Sequence, residues 1–256
     1  MMFSRRWWWS TLIVFAGISL AIRLGIWQID RNEKRQASVN QIQAMQTMPV
    51  LELDQAPIPQ DIEDMEYRQV SATGKYDFEH QVALRNQVRS RMTGTDPGYA
   101  LVTPLILSNG KAVLVERGWI PLENDSPETW TQYNEPGTIR VEGVIRKSMD
   151  KGELGTLLMD PTLSPGQERL DFWNFINIPR MQEQLPYELL PIYIQRVSSE
   201  NLDEVPYPLA EEPDLNPGAH LGFALQWFFY AGLLMIGYPI WLMKQNKKVG
   251  PENASS

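Results

Sequence analysis

Asn216-Pro217-Gly218-Ala219-His220-Leu221-Gly222-Phe223-Ala224-Leu225-Gln226-Trp227-Phe228 opens the stretch that organises the chain, which then runs apolar to Met243. The 23 residues 221–243 carry no formal charge. At about 1.5 Å per residue such a helix crosses a hydrocarbon core of about 30 Å. Lys244, Lys247 and Lys248 follow it, whereas residues 197–219 hold six acids and no Lys or Arg. Cationic flanks stay in the cytoplasm, so the tail 244–256 is expected inside and His220 at the outer boundary of this span.

A second apolar run stands at the other end. Ser4-Arg5-Arg6-Trp7-Trp8-Trp9 leads into residues 7–29, where Arg23 is the one charge. Arg5-Arg6 fits a twin-arginine export signal or a positive-inside anchor. The anchor is the reading taken, because the run is long enough to span and no small-residue cleavage site follows. Trp9 and Trp27 would then sit at the two interfaces. Arg31, Lys34 and Arg35 would lie outside, against the charge rule, with Asp30 and Glu33 among them. Two spans return the chain to its starting side. Residues 1–6 are therefore expected in the cytoplasm with the tail, and residues 30–219 outside it.

Charge is distributed to match. The net charge is −8, yet residues 30–219 hold 17 Lys/Arg against 30 Asp/Glu. An acidic middle opposes nucleic-acid binding, which needs cationic surface for phosphates. Cysteine is absent, which excludes disulfides, thiolate metal sites, Cys nucleophiles and haem attachment through Cys-x-x-Cys-His.

Asp30 to Gln46 contains no Pro or Gly and many helix formers, so the first helix should extend beyond the membrane until Met48-Pro49. Strand signals then begin. Val70, Ala72, Gly74 and Tyr76 alternate with polar residues, and Gln81 to Arg89 is similar but weaker. Ser90 to Pro97 reads as a polar turn. Tyr99 to Leu107 and Ala112 to Trp119 flank Asn109-Gly110, a hairpin signal. Ile139 to Ile145, Phe172 to Ile178 and Leu190 to Val197 add further strands, with a short helix around Arg180 to Leu185. Asn201 to Ala219, punctuated by prolines, reads as an extended acidic tether. The fold class expected is an α+β membrane protein: two transmembrane helices flanking one mainly antiparallel, barrel-like extracytoplasmic β domain.

The soluble part offers little catalytic chemistry. His80 lies at an expected turn and reads as a surface residue, and no zinc-binding His spacing or phosphate-cradling Gly-rich loop occurs. The spans say more. On a helical wheel Gly17, Ala21 and Gly25 form a small-residue stripe that Gln28 shares, with Arg23 nearly opposite. His220, Ala224, Trp227 and Ala231 share a face of the second span. Packing these faces would bring Gln28 and His220 to similar depth. His220 either caps the span at the interface or coordinates a flat apolar cofactor, most plausibly haem iron.

Three spaced motifs resemble the Surfeit locus protein 1 family of cytochrome c oxidase biogenesis factors. Leu24-Gly25-Ile26-Trp27-Gln28-Ile29-Asp30-Arg31 matches the motif closing the family's first span. Gly98-Tyr99-Ala100-Leu101-Val102-Thr103-Pro104-Leu105 and Val113-Leu114-Val115-Glu116-Arg117-Gly118-Trp119-Ile120-Pro121 match its central strands. His220 to Phe228 matches the opening of its second span. Glu116 replaces the family's usual Asn, which would alter a partner surface, and Phe223 replaces the usual Tyr.

The resemblance implies a non-enzymatic assembly factor for haem-copper oxidase that binds haem a transiently and aids its delivery to subunit I. The alternative is a structural partner of subunit I that binds no haem; an extracytoplasmic enzyme is a third, remoter class. The implied cofactor-binding residues are His220, as axial iron ligand, with Trp227, Ala224, Gln28 and Arg31. Arg117, Trp119 and Trp27 are expected to serve the fold or a partner surface. Subunit I, haem a synthase and the bilayer are the expected partners. The chain starts almost at its first span, without a transit peptide, so a bacterial plasma (inner) membrane is the expected location.

Overall fold

In the computed structural model the described residues are 7–54, 57–91, 94–149, 162–163, 169–197, 205–209, 213–216 and 218–248. The expected cytoplasmic N-terminus 1–6 and the end of the tail, 249–256, lie outside them. The chain divides into two compact units, residues 42–213 and the paired terminal segments 1–41 and 214–256.

The central unit is a β-barrel. Its strands are β1 (Leu51–Glu52), β2 (Gln69–Tyr76), β3 (Val82–Arg91), β4 (Gly94–Leu107), β5 (Ala112–Pro121), β6 (Thr138–Lys147), β7 (Phe172–Trp173) and β8 (Leu189–Arg196). Strands β2, β6, β8, β5 and β4 pair in a ring, and the β2–β4 pairing from Gly74↔Leu107 to Tyr76↔Leu105 closes it. Closure requires the two backbones to come together at Gly74, where a Cβ would collide with the carbonyl oxygen of Ile106. β3 and β7 extend the sheet beyond β4, and β1 lies on β2.

Most pairs are antiparallel, as alternation and the Asn109-Gly110 turn led one to expect. Three are not: β1–β2, β3–β7 and β5–β8 run parallel. The reason shows in β5, whose residues Ala112 to Ile120 are all buried. Val113 and Val115 face one core with Leu105 and Ile192, while Ala112 and Leu114 face another with Trp173 and Met181. A strand covered on both faces reads as a continuous apolar run and accepts a parallel neighbour. Each buried Val, Leu or Ile among them contributes about 1.5–3 kcal/mol.

Other boundaries moved. The turn expected over Ser90 to Pro97 is mostly strand, because β3 and β4 stay paired from Gln87↔Gly98 to Arg91↔Gly94. Only Phe172 and Trp173 of the expected strand 172–178 pair, since Asn177 caps a helix: its Oδ1 accepts from Arg180 N at 3.2 Å. That helix, α3, spans Ile178–Gln182, and a one-turn helix, α2, spans Pro127–Trp130. The expected tether is pinned in its described part, where Trp119 and Tyr207 exchange backbone hydrogen bonds of 2.6 and 2.8 Å.

The terminal unit holds α4 (His220–Lys248) and α1 (Trp8–Gln46) up to residue 41, the latter helix extending well past the expected membrane boundary. Both are long and apolar enough to cross a membrane. The apolar side chains Leu12, Ile13, Phe15, Leu225, Phe229 and Ile236 are exposed, as a lipid-facing surface requires.

Candidate functional site

The site at the head of α4 is built by the small-residue seam between the two long helices. Ala21 on α1 and Ala224 and Ala231 on α4 are buried. A Cβ on Gly25 would stand 2.8 Å from the ring of Phe228, so any larger residue would force that ring to move for the helices to stay this close. Gln28 follows Gly25 by three residues on the same helical face. It reaches His220, whose Nδ1 lies 3.0 Å from Gln28 Oε1. Away from this end the seam is closed by hydroxyls: Ser10 Oγ and Thr11 Oγ1 each stand 2.8 Å from the Tyr238 hydroxyl.

The loop before α4 presents His220. Asn216 N donates to Asp214 Oδ1 and Gly218 N donates to Asn216 Oδ1, both at 2.9 Å, turning the chain through Asx geometry. Gly218 has φ of 78°, and a Cβ there would lie 3.4 Å from His220 Nε2. Gly218 therefore packs beside that edge of the ring, with little room for a side chain. Beside it is a cavity of about 550 Å³ lined by Arg31, Lys34, Arg35, Asp214, Asn216, Gly218 and His220. Arg35 is committed to the wall, donating to Asp214 Oδ2 at 2.9 Å and to the carbonyls of Asp214 and Asn216. Lys34 pairs with Asp30 at 2.8 Å. Arg31 has no partner among the described residues.

Of the residues singled out in the sequence, His220, Gln28 and Arg31 gather here. The slot expected between Ala224, Trp227, Ala231 and the first span is not open, because small residues let the helices close on one another. Ala224 and Ala231 are consumed by that packing. Trp227 is half-buried and meets Tyr230 edge-on at 6.1 Å. Trp27 is exposed on α1. Lys34, Arg35, Asp214, Asn216 and Gly218 were missed as site residues. For Lys34 and Arg35 the signal was present in the cationic run that stood against the expected charge rule.

In the barrel Arg117 is held by several partners. Arg117 is fully buried; its Nη1 donates to Gln81 Oε1 and its Nη2 to Glu135 Oε1, both at 2.9 Å, and to the Tyr133 carbonyl. The guanidinium also stands over the Tyr76 ring at 4.9 Å. Burial pushes the Glu135 carboxyl up, but Arg117 and Arg196 outweigh it and hold it below the usual range. Trp119 is buried beside a Gly118 whose φ is 135°. Glu116, expected on a partner surface, is instead buried, because Gln195 of the parallel strand β8 covers it and donates to its Oε2 at 3.1 Å. Burial pushes its carboxyl up to about 7 despite Gln195 and the charge of Arg146. His80, expected at the surface, is half-buried, its Nδ1 2.7 Å from Asp77 Oδ2.

Residues 15–232 match the profile of the SURF1 family. The chain is similar to a protein named Surfeit locus protein 1 from Arabidopsis thaliana, 24% identical over 86% of this chain and 74% of the relative. A SURF1-like protein of Rickettsia conorii is 28% identical over 91% of this chain and 90% of its own length. The cytochrome oxidase assembly protein SHY1 of Saccharomyces cerevisiae is 28% identical over 58% of this chain and 39% of its own length.

Proposed function

The chain belongs to the SURF1 family, and on that premise we propose that it assists assembly of haem-copper oxidase, binding haem a and aiding its delivery to subunit I. The observation that carries this reading is His220, held through Nδ1 by Gln28 and lining a cationic cavity. The name of the yeast relative, an oxidase assembly protein, supports the oxidase as client. Haem a synthase is the further partner expected. The protein would act without turnover of its own.

The residues fit such a group. Haem would bring an iron within its own macrocycle, and the imidazole of His220 would be the residue that holds it. His220 lines the cavity and has Gly218, a residue without a side chain, beside its Nε2 edge, and Arg31 offers a guanidinium for a carboxylate at the outer boundary. The cavity is polar, which suits the propionate edge of a macrocycle rather than its apolar body. Trp227, two turns along α4 from His220, adds an aromatic surface. The test is His220→Ala in the full chain: it should lose the haem absorption spectrum and still insert in the membrane, because the apolar span is untouched. Full haem occupancy with normal oxidase assembly would overturn the reading.

One observation favours a second role. The seam at Ala224 and Ala231 is already closed, as a purely structural partner of subunit I would need. A His220→Ala variant that never differed from wild type would select it.

The location we propose is a bacterial plasma membrane, with both termini cytoplasmic and residues 30–219 outside. Its support is the lysine flank after a charge-free span and the acids before it. Reporter fusions after Ser256 and near Asn109 should report opposite sides. Equal cytoplasmic activity from both would refute it.

A further inference from the structure

We infer that Gln28 is a positioning residue that selects the tautomer of His220, fixing the proton on Nδ1 and leaving Nε2 as the nitrogen that ligates iron. The inference rests on the haem-binding reading above. It starts from chemistry that the two side chains cannot avoid. A neutral imidazole carries one N–H and one lone pair, and only the lone pair can bind a metal. The Gln28 atom facing Nδ1, at 3.0 Å, is the amide oxygen, which can only accept. Nδ1 must then donate, and the lone pair falls on Nε2. That nitrogen lies on the ring edge next to Gly218, and His220 lines the cavity it shares with Arg31. The opposite tautomer would point a proton into the same space and block ligation.

The arrangement also explains why the seam is so tight at its outer end. The close approach of α1 and α4 at Gly25 and Phe228 brings an amide on α1 within hydrogen-bond reach of a ring on α4, 192 residues away in sequence. An acceptor on the far nitrogen of a metal-binding imidazole orients the ring and raises its basicity. Loss of such a partner typically weakens metal affinity by about 10- to 100-fold.

The experiment uses the full chain in lipid nanodiscs with ¹⁵N-labelled histidine, the His220 signals being assigned by their loss in His220→Ala. Wild type without haem should show Nδ1 protonated and Nε2 bare. Gln28→Leu, which removes the acceptor, should shift the population toward the Nε2-protonated form and weaken binding of ferric haem a by about 10- to 100-fold. Gln28→Glu, whose carboxylate also only accepts, should restore both the tautomer and the affinity. It should lower the haem midpoint potential as well, since a carboxylate partner favours ferric iron. Circular dichroism of each variant should show unchanged helix content. An Nε2-protonated wild type, or a tautomer indifferent to Gln28→Leu, overturns the inference. If Gln28→Leu binds haem as wild type does, the inference falls and the haem reading stands. If wild type binds no haem a, the haem reading falls and takes the role of Gln28 toward iron with it.

Discussion

Arg117 in the barrel and His220 in the span pair are both polar groups withdrawn from water, and their surroundings differ in one respect. The Arg117 guanidinium is fully buried and both its terminal nitrogens are engaged by Gln81, Glu135 and Tyr133. His220 gives Nδ1 to Gln28, and its ring lines a cavity. A buried charge enclosed by its partners stabilises one arrangement of strands. A ring with a spare lone pair at an accessible edge can bind something. The barrel therefore carries structure in its polar groups, and the span pair carries the candidate chemistry.

Removing Arg117 should produce the largest effect of this contrast. Arg117→Met leaves Glu135 and Gln81 without their donor, and breaking a buried pair costs about 3 kcal/mol at the low end of such cases. The low end applies because the Glu135 side chain is 35% exposed and water can screen it. Thermal unfolding should show the loss, while haem absorption of the protein that remains folded stays at the wild-type level. Unfolded-like haem loss without any fall in the transition temperature would break the comparison.

Glu116 should give a smaller effect with a diagnostic pH dependence. Its carboxyl is pushed from the usual 4.5 to about 7 by burial, so the folded barrel prefers the protonated form. Stability from this group is full below about 4.5 and is lost as pH rises through about 7. Glu135, held below its usual range, acts oppositely and weakens the fold only in stronger acid. Glu116→Gln should remove the decline between pH 5 and 7 and raise the transition temperature at pH 8 by at least about 3 °C, the equivalent of about 1 kcal/mol for a domain of this size. A wild-type transition temperature that does not fall with pH over that range would mean the carboxyl is hydrated.

Arg31 should give the smallest effect. It is exposed, so its attraction for a bound carboxylate is worth about 0.2–1 kcal/mol. Arg31→Gln should weaken haem a binding by about two- to five-fold in a titration, less so in high salt. Loss comparable to that of His220→Ala would mean that Arg31 is buried on binding, and the contrast between a hydrated rim and a ligating ring would need revision.

The two regions were unequally legible. In the spans, length, lack of charge and the small residues Gly17, Ala21 and Gly25 are local properties, and a helical wheel places Gln28 on the packed face without knowledge of anything distant. In the barrel, alternation assigned faces but not neighbours. Glu116 sits in an apolar run and was placed on a partner surface; its burial depends on β8, whose Gln195 is 79 residues away. His80 went to the surface because Tyr187, whose ring packs on it, arrives from a distant part of the chain, whereas its Asp77 partner is local, three residues before it.

The sequence by itself determined the two spans, the continuation of α1 to Gln46, the β2, β4–β5 and β6 strands, and the residues from which a site could be drawn. Each follows from interactions within a few residues, where helix propensity, apolar length or period-two alternation acts directly. Only the tertiary structure decided the ring closure at Gly74, the parallel β5–β8 pairing and the pinning of Tyr207 on Trp119. It also decided that the opening beside His220 lies among Arg31, Lys34 and Arg35 rather than along Ala224 and Ala231. The physical reason is that alternating or small residues specify a face that must be covered, while which distant face covers it depends on backbone closure and packing across the whole chain.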